Sequence, residues 1–129
     1  GKDQVVVGSN DGRLFAIDGA TGRKRWETPT GGAVRSSPLI TPDGLVVVGG
    51  HDRKVHAVDL ATGARRWEYL TGDIVHGSPA LLPGGAVAVG GLDGDVVAID
   101  TVAGARRWRC GVGAPVSASP AVGDDATVY

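Results

Sequence analysis

Short apolar runs alternate with turn-forming clusters along the whole chain. Val5-Val6-Val7, Val46-Val47-Val48 and Val87-Ala88-Val89 each end in a glycine. Other β-branched or apolar stretches follow within a few residues, and no window shows helical periodicity at domain length. In the middle of the chain the pattern predicts strands near 45–50, 54–59 and 64–70. An innermost strand near 77–82 comes from the stretch that opens the following unit. Pro42-Asp43-Gly44, His51-Asp52-Arg53 and Ala61-Thr62-Gly63 are the intervening turn signals. The valine runs do not alternate with polar residues, so both faces of those strands are expected to be covered. Gly8, Gly49 and Gly90 would let a large side chain approach the backbone, and a tryptophan is the natural candidate.

The pattern repeats without insertion or deletion. Trp26, Trp67 and Trp108 are evenly spaced (67 − 26 = 108 − 67 = 41). The same step relates Asp18, Asp59 and Asp100, and Gly22, Gly63 and Gly104. It also relates Ser37-Pro38, Ser78-Pro79 and Ser119-Pro120. The chain reads as one segment, 1–129, with repeats 5–45, 46–86 and 87–127 and a stub of a fourth. Four short antiparallel strands every ~40–45 residues are the signature of a propeller blade. The expected fold class is all-β, a β-propeller of four-stranded antiparallel blades, about three of them.

The segment from Ala16 through Asp18, Thr21 and Gly22 to Trp26 resembles the tryptophan-docking motif of PQQ-type (quinoprotein-like) propeller repeats. Ala57, Asp59, Thr62, Gly63 and Trp67 repeat it, as do Ala98, Asp100, Ala103, Gly104 and Trp108. The resemblance implies that the tryptophans pack against the neighbouring blade while the Asp and Gly positions organise the preceding turn. It also implies a bacterial, extracytoplasmic setting. The family includes PQQ-dependent dehydrogenases, lipoprotein scaffolds of outer-membrane β-barrel assembly, and sensor domains of bacterial kinases. Its dehydrogenases hold the quinone beside an adjacent cysteine pair and bind Ca²⁺ through carboxylate and amide groups. This chain has one cysteine, and every tryptophan already occupies a docking position. No cofactor is therefore expected; PQQ and calcium belong only to the dehydrogenase alternative.

Composition narrows the rest. Glycine makes up 22 of 129 residues, well above the usual ~7%, which suits many tight turns. The net charge is −1, which leaves no electrostatic footprint for nucleic acid. No apolar run approaches the ~18 residues of a transmembrane helix. The chain begins Gly1-Lys2-Asp3-Gln4, so a processed or excised piece is expected, and a segment without independent function is a further alternative. Ser78, His76 and Asp73 are strand neighbours and do not converge as a catalytic triad requires. Asp93-Gly94-Asp95 reads as a polar hairpin turn, since calcium takes about six to eight oxygens. His51, His56 and His76 fall at different phases, which speaks against zinc. Cys110 is expected to be a partly buried thiol, and no catalytic or metal-binding residues are assigned.

Positions that differ between copies are free to bind. Arg35, His76 and Ser117 share a phase two residues before each Ser-Pro and are expected at the mouth of a central channel. His51 and Arg53 lie in a hairpin loop, in a variable set with Asn10 and Leu92. The basic runs Arg23-Lys24-Arg25, Arg65-Arg66 and Arg106-Arg107 read as charged outer edges that block sheet-to-sheet association. Three blades cannot close a ring of the usual 4–8. A protein partner, or self-association that pairs 117–122 of one copy beside 5–8 of the next, would complete it. The function this supports is a non-catalytic scaffold for protein interaction or ligand sensing.

Overall fold

A computed structural model describes residues 4–34, 37–75, 77–114 and 116. Among these the chain is all-β, with three antiparallel sheets and no helix. The first sheet holds β1 (Gln4–Gly8), β2 (Arg13–Asp18) and β3 (Lys24–Pro29). The second holds β4 (Leu39–Ile40), β5 (Leu45–Gly49), β6 (Lys54–Asp59) and β7 (Arg65–Leu70), and the third β8 (Ala80–Leu82), β9 (Ala86–Gly90), β10 (Asp95–Asp100) and β11 (Arg106–Gly111). Strands pair in chain order within each sheet, as hairpins joined by short turns must. The innermost strand β8 is shorter than the 77–82 that the sequence predicts. Gly77, Ser78 and Pro79 stay outside β8, and a proline has no N–H to give a ladder. The expected strand at 117–122, and with it the proposed pairing beside β1, lies outside the described residues.

Each outer hairpin carries a bulge at one phase. Ala16 faces Trp26 while Ile17 faces Lys24, so Arg25 is the extra residue; the same shift recurs at Ala57/Val58 and Ala98/Ile99. The bulge sorts the outer strand into two faces. Trp26 and Thr28 turn toward the second blade, and Trp67 and Tyr69 toward the third. Lys24 with Glu27, Arg65 with Glu68, and Arg106 with Arg109 share the opposite faces.

Apolar residues between the sheets form the core. Leu14, Ala16 and Trp26 of the first blade pack with Val46, Val48 and Val58 of the second. Val47, Val55, Ala57 and Trp67 of the second pack with Val87, Val89, Val97 and Ile99 of the third. The non-alternating valine runs are thereby explained: β5 and β9 are buried on both faces. In β1, by contrast, Val5 and Val7 remain exposed.

The glycines ending these strands do not receive tryptophan. A Cβ at Gly8, Gly49 or Gly90 would collide with Val34, Val75 or Val116 respectively. These valines come from the segments leaving each outer strand, which cross back over the blade.

Candidate binding surface

The recurrent Asp-Gly-Trp set builds the seams between blades. Asp18 Oδ1 accepts the amides of Ala20 (2.8 Å) and Thr21 (3.2 Å). Asp59 does the same for Ala61 and Thr62, and Asp100 for Val102 and Ala103. These backbone bonds, strongest from Ala103 and joined by the Arg107 guanidinium, hold the Asp100 carboxyl at about 2. Asp18 is lowered too, chiefly by the amides of Ala20 and Thr21.

Each turn then closes through glycine at positive φ: Gly22 (+73°), Gly63 (+75°) and Gly104 (+69°). The glycine does double duty, because the preceding blade's tryptophan lies against it. A Cβ on Gly63 would sit 2.6 Å from the Trp26 ring, and one on Gly104 would sit 2.6 Å from Trp67. The indole N–H of Trp26 donates to Leu60 O (2.9 Å) and that of Trp67 to Thr101 O (2.8 Å). Thus Trp26 and Trp67 dock as the motif implies. Trp108 has no such partner among the described residues: it is 40% exposed, and no described sheet lies beyond β11. Gly22 has nothing within 4 Å of its Cβ position. Cys110, on the same face of β11 as Trp108, is exposed rather than partly buried for the same reason.

The basic runs are largely consumed by neighbouring acids. Arg25, Arg66 and Arg107 pair with Asp18, Asp59 and Asp100 at 3.7, 3.2 and 2.7 Å. Lys24 and Arg65 pair with Glu27 and Glu68.

The variable positions are placed as follows. Arg35, His76 and Ser117 lie outside the described residues. His51 and Arg53 sit together in the β5–β6 hairpin loop. The His51 amide donates to Ala33 O (2.9 Å), which ties this loop to the first blade. Arg53 is exposed and has φ +68°, alone among the described non-glycine residues in being positive. Gly12 and Gly94 hold the same phase in the other blades, at +86° and +85°. The Arg53 carbonyl accepts both the amide and the hydroxyl of Thr71, each at 2.7 Å.

His56 was not singled out as a site by its spacing, yet among the described residues it is the largest buried polar side chain, 1% exposed. Its Nε2 lies 2.8 Å from Asp52 Oδ2, and Nδ1 has Glu68 Oε2 at 3.8 Å but no hydrogen-bond partner. The available signal was its phase, where the other blades carry Phe15 and Val97. Among the described residues no three His, Cys, Asp or Glu side chains are grouped to hold a metal ion. Asp93 instead caps its own turn, accepting the Asp95 amide at 3.1 Å.

Bulged outer strands, tryptophan-docked seams and four-stranded blades together define a β-propeller with PQQ-like repeats. The chain belongs to the family described as outer membrane protein assembly factor BamB, whose model matches residues 1–127. Among solved structures it is similar to BamB from Moraxella catarrhalis, with 31% identity and a TM-score of 0.85 over 95% of this chain. It also resembles the WD40 repeats of RRP9, with 15% identity and a TM-score of 0.81 over 90% of this chain, a likeness of fold alone. The chain spans 38% of the length of each. No curated protein matches it.

Proposed function

We propose that this protein is a non-catalytic propeller scaffold that binds other proteins, and that its partners belong to outer-membrane protein assembly, as the family description suggests. The observation that carries this reading is Arg53. Residues common to all copies are used in turns and seams, whereas Arg53 departs from the repeat on an exposed loop. It holds a backbone conformation that costs a side-chain-bearing residue about 1 kcal/mol or more, and both sister loops avoid that cost with glycine. Such strain supports a binding role for the side chain. The test is surface plasmon resonance of the chain against purified outer-membrane assembly proteins, with R53G and H51A as variants. Binding weakened by about tenfold in a folded R53G variant is expected. Equal binding by R53G and the parent would sink the assignment.

A second reading concerns how the ring is completed. Trp108 and Gly22 are the two halves of a contact made twice within the chain, and both are open. We propose that a second copy docks head to tail, with Trp108 of one copy over Gly22 of the other. Light scattering should then show a self-associated species that W108A converts to monomer; a stable monomer at all concentrations would remove this reading. Neither proposal involves PQQ or calcium. Saturable quenching of tryptophan fluorescence at stoichiometric PQQ with Ca²⁺ would instead support the dehydrogenase alternative.

A further inference from the structure

The seam between the second and third blades contains a charge reversal and a cleft at the same place. In the first two blades the outer strand neutralises itself: Lys24 pairs with Glu27 (2.5 Å) and Arg65 with Glu68 (3.4 Å). The same glutamates take Arg13 (2.9 Å) and Lys54 (3.2 Å) from the adjacent strand. In the third blade the glutamate phase is Arg109 and the phase of Arg13 and Lys54 is Asp95. The cross-strand pair survives with its polarity reversed, Arg109 Nε lying 3.7 Å from Asp95 Oδ2. Arg106 shares its face and the cleft with Arg109, where Arg65 has Glu68. Its counterpart Arg65 also reaches Pro29 O at 2.6 Å. The Arg106 side chain makes no hydrogen bond or ion pair among the described residues.

Size changes at the same point. Where His56 fills the first seam, Val97 leaves a cleft of about 200 Å³ in the second, bounded by Tyr69, Leu70, Val97, Arg106 and Arg109. Asp93 and Asp95 also line it. Strand register separates them from Arg106, because Asp95 faces Gly111, Val97 faces Arg109 and Ile99 faces Arg106. Asp93 is already held by the amides of Asp95 (3.1 Å) and Gly72 (3.2 Å).

We propose that the Arg106 end of this cleft binds a small oxyanion, a phosphate or carboxylate group, between Arg106 and Arg109. Guanidinium forks fit either group in a bidentate manner. The volume is below the ~300–1,000 Å³ of sites for drug-sized ligands, so the group is small or is the tip of a larger molecule.

The test titrates the whole chain with inorganic phosphate and, separately, with acetate, at constant ionic strength, following arginine Nε–H and backbone amide NMR shifts. Saturable shifts centred on Arg106, Arg109 and Val97 are expected with at least one of the two anions. R106Q removes no side-chain hydrogen bond or ion pair among the described residues and should weaken binding by about tenfold. R23Q, a cation loss on another blade, should leave it unchanged. Non-saturating shifts with both anions would overturn the proposal, as would equal weakening by R106Q and R23Q.

Discussion

The two seams of this molecule share a plan and differ in how they are filled. Both use a tryptophan laid on the next blade's turn glycine, with the indole N–H on a backbone carbonyl. The first seam adds Thr28 Oγ1 donating to Gly63 O (2.6 Å), Arg65 reaching Pro29 O, and buried His56 held by Asp52. The second seam replaces these three with Tyr69, Arg106 and Val97, gaining apolar contact and losing polar links. Repetition fixes the hinge-like contacts at the turn, while substitutions at equal phase decide whether the rest of a seam is closed or open.

The largest expected effect breaks both seams at their common element. W26A and W67A should each cost about 3–5 kcal/mol, because each removes a buried indole and leaves a cavity. W108A should cost less than about 1.5 kcal/mol in the monomer, since its ring is already partly in water. Urea unfolding of the three variants checks the order.

Next come the glycines. G63A and G104A combine a left-handed backbone with a clash against tryptophan, and should cost about 2–4 kcal/mol. G22A has the same backbone conformation but no ring above it, and should cost only about 1 kcal/mol. The difference measures docking separately from turn strain, and equal costs would remove the docking role of Gly63 and Gly104.

H56V should sharpen the contrast between seams. It gives the first seam the residue of the second and leaves Asp52 without its buried partner, at a cost of about 1–3 kcal/mol. R53G acts in the other direction. It restores the glycine found in both sister loops and should stabilise by about 0.5–1 kcal/mol, readable as a raised urea midpoint.

The smallest effect is acid dependence. The Asp100 carboxyl is held at about 2, below its ordinary 3.8. A depressed carboxylate contributes stability that is present above the ordinary value and is lost as pH falls through about 2. Acid titration of tryptophan fluorescence should show this loss in the parent and a smaller one in D100N.

Much of this was legible in the sequence because it is periodic. Asp18, Gly22 and Trp26 recur in phase, and the turn chemistry of Asp and Gly is local, so the turns and the sheet order followed from spacing. The filling of space around glycine was not legible. Val34, not tryptophan, covers Gly8, because the path of the segment after β3 depends on where the next blade sits. Nor was the Arg106 cleft. A run of basic residues reads as a solvated edge until the bulge at each outer hairpin is known. The bulge puts residues three apart on one face, so Glu27 and Glu68 neutralise their neighbours while Arg109 cannot.

The sequence alone determined the repeat, the all-β class and the turn residues, since each rests on local backbone preference or period; the docking of Trp26, Trp67 and Trp108 was what the family resemblance implied, and it holds among the described residues for the first two. Tertiary structure alone decided that His56 is buried, that Trp108 and Cys110 are exposed, and that a valine and two arginines leave a cleft. Those outcomes depend on which faces meet across a seam, and contact between blades is a property of packing that no single repeat carries.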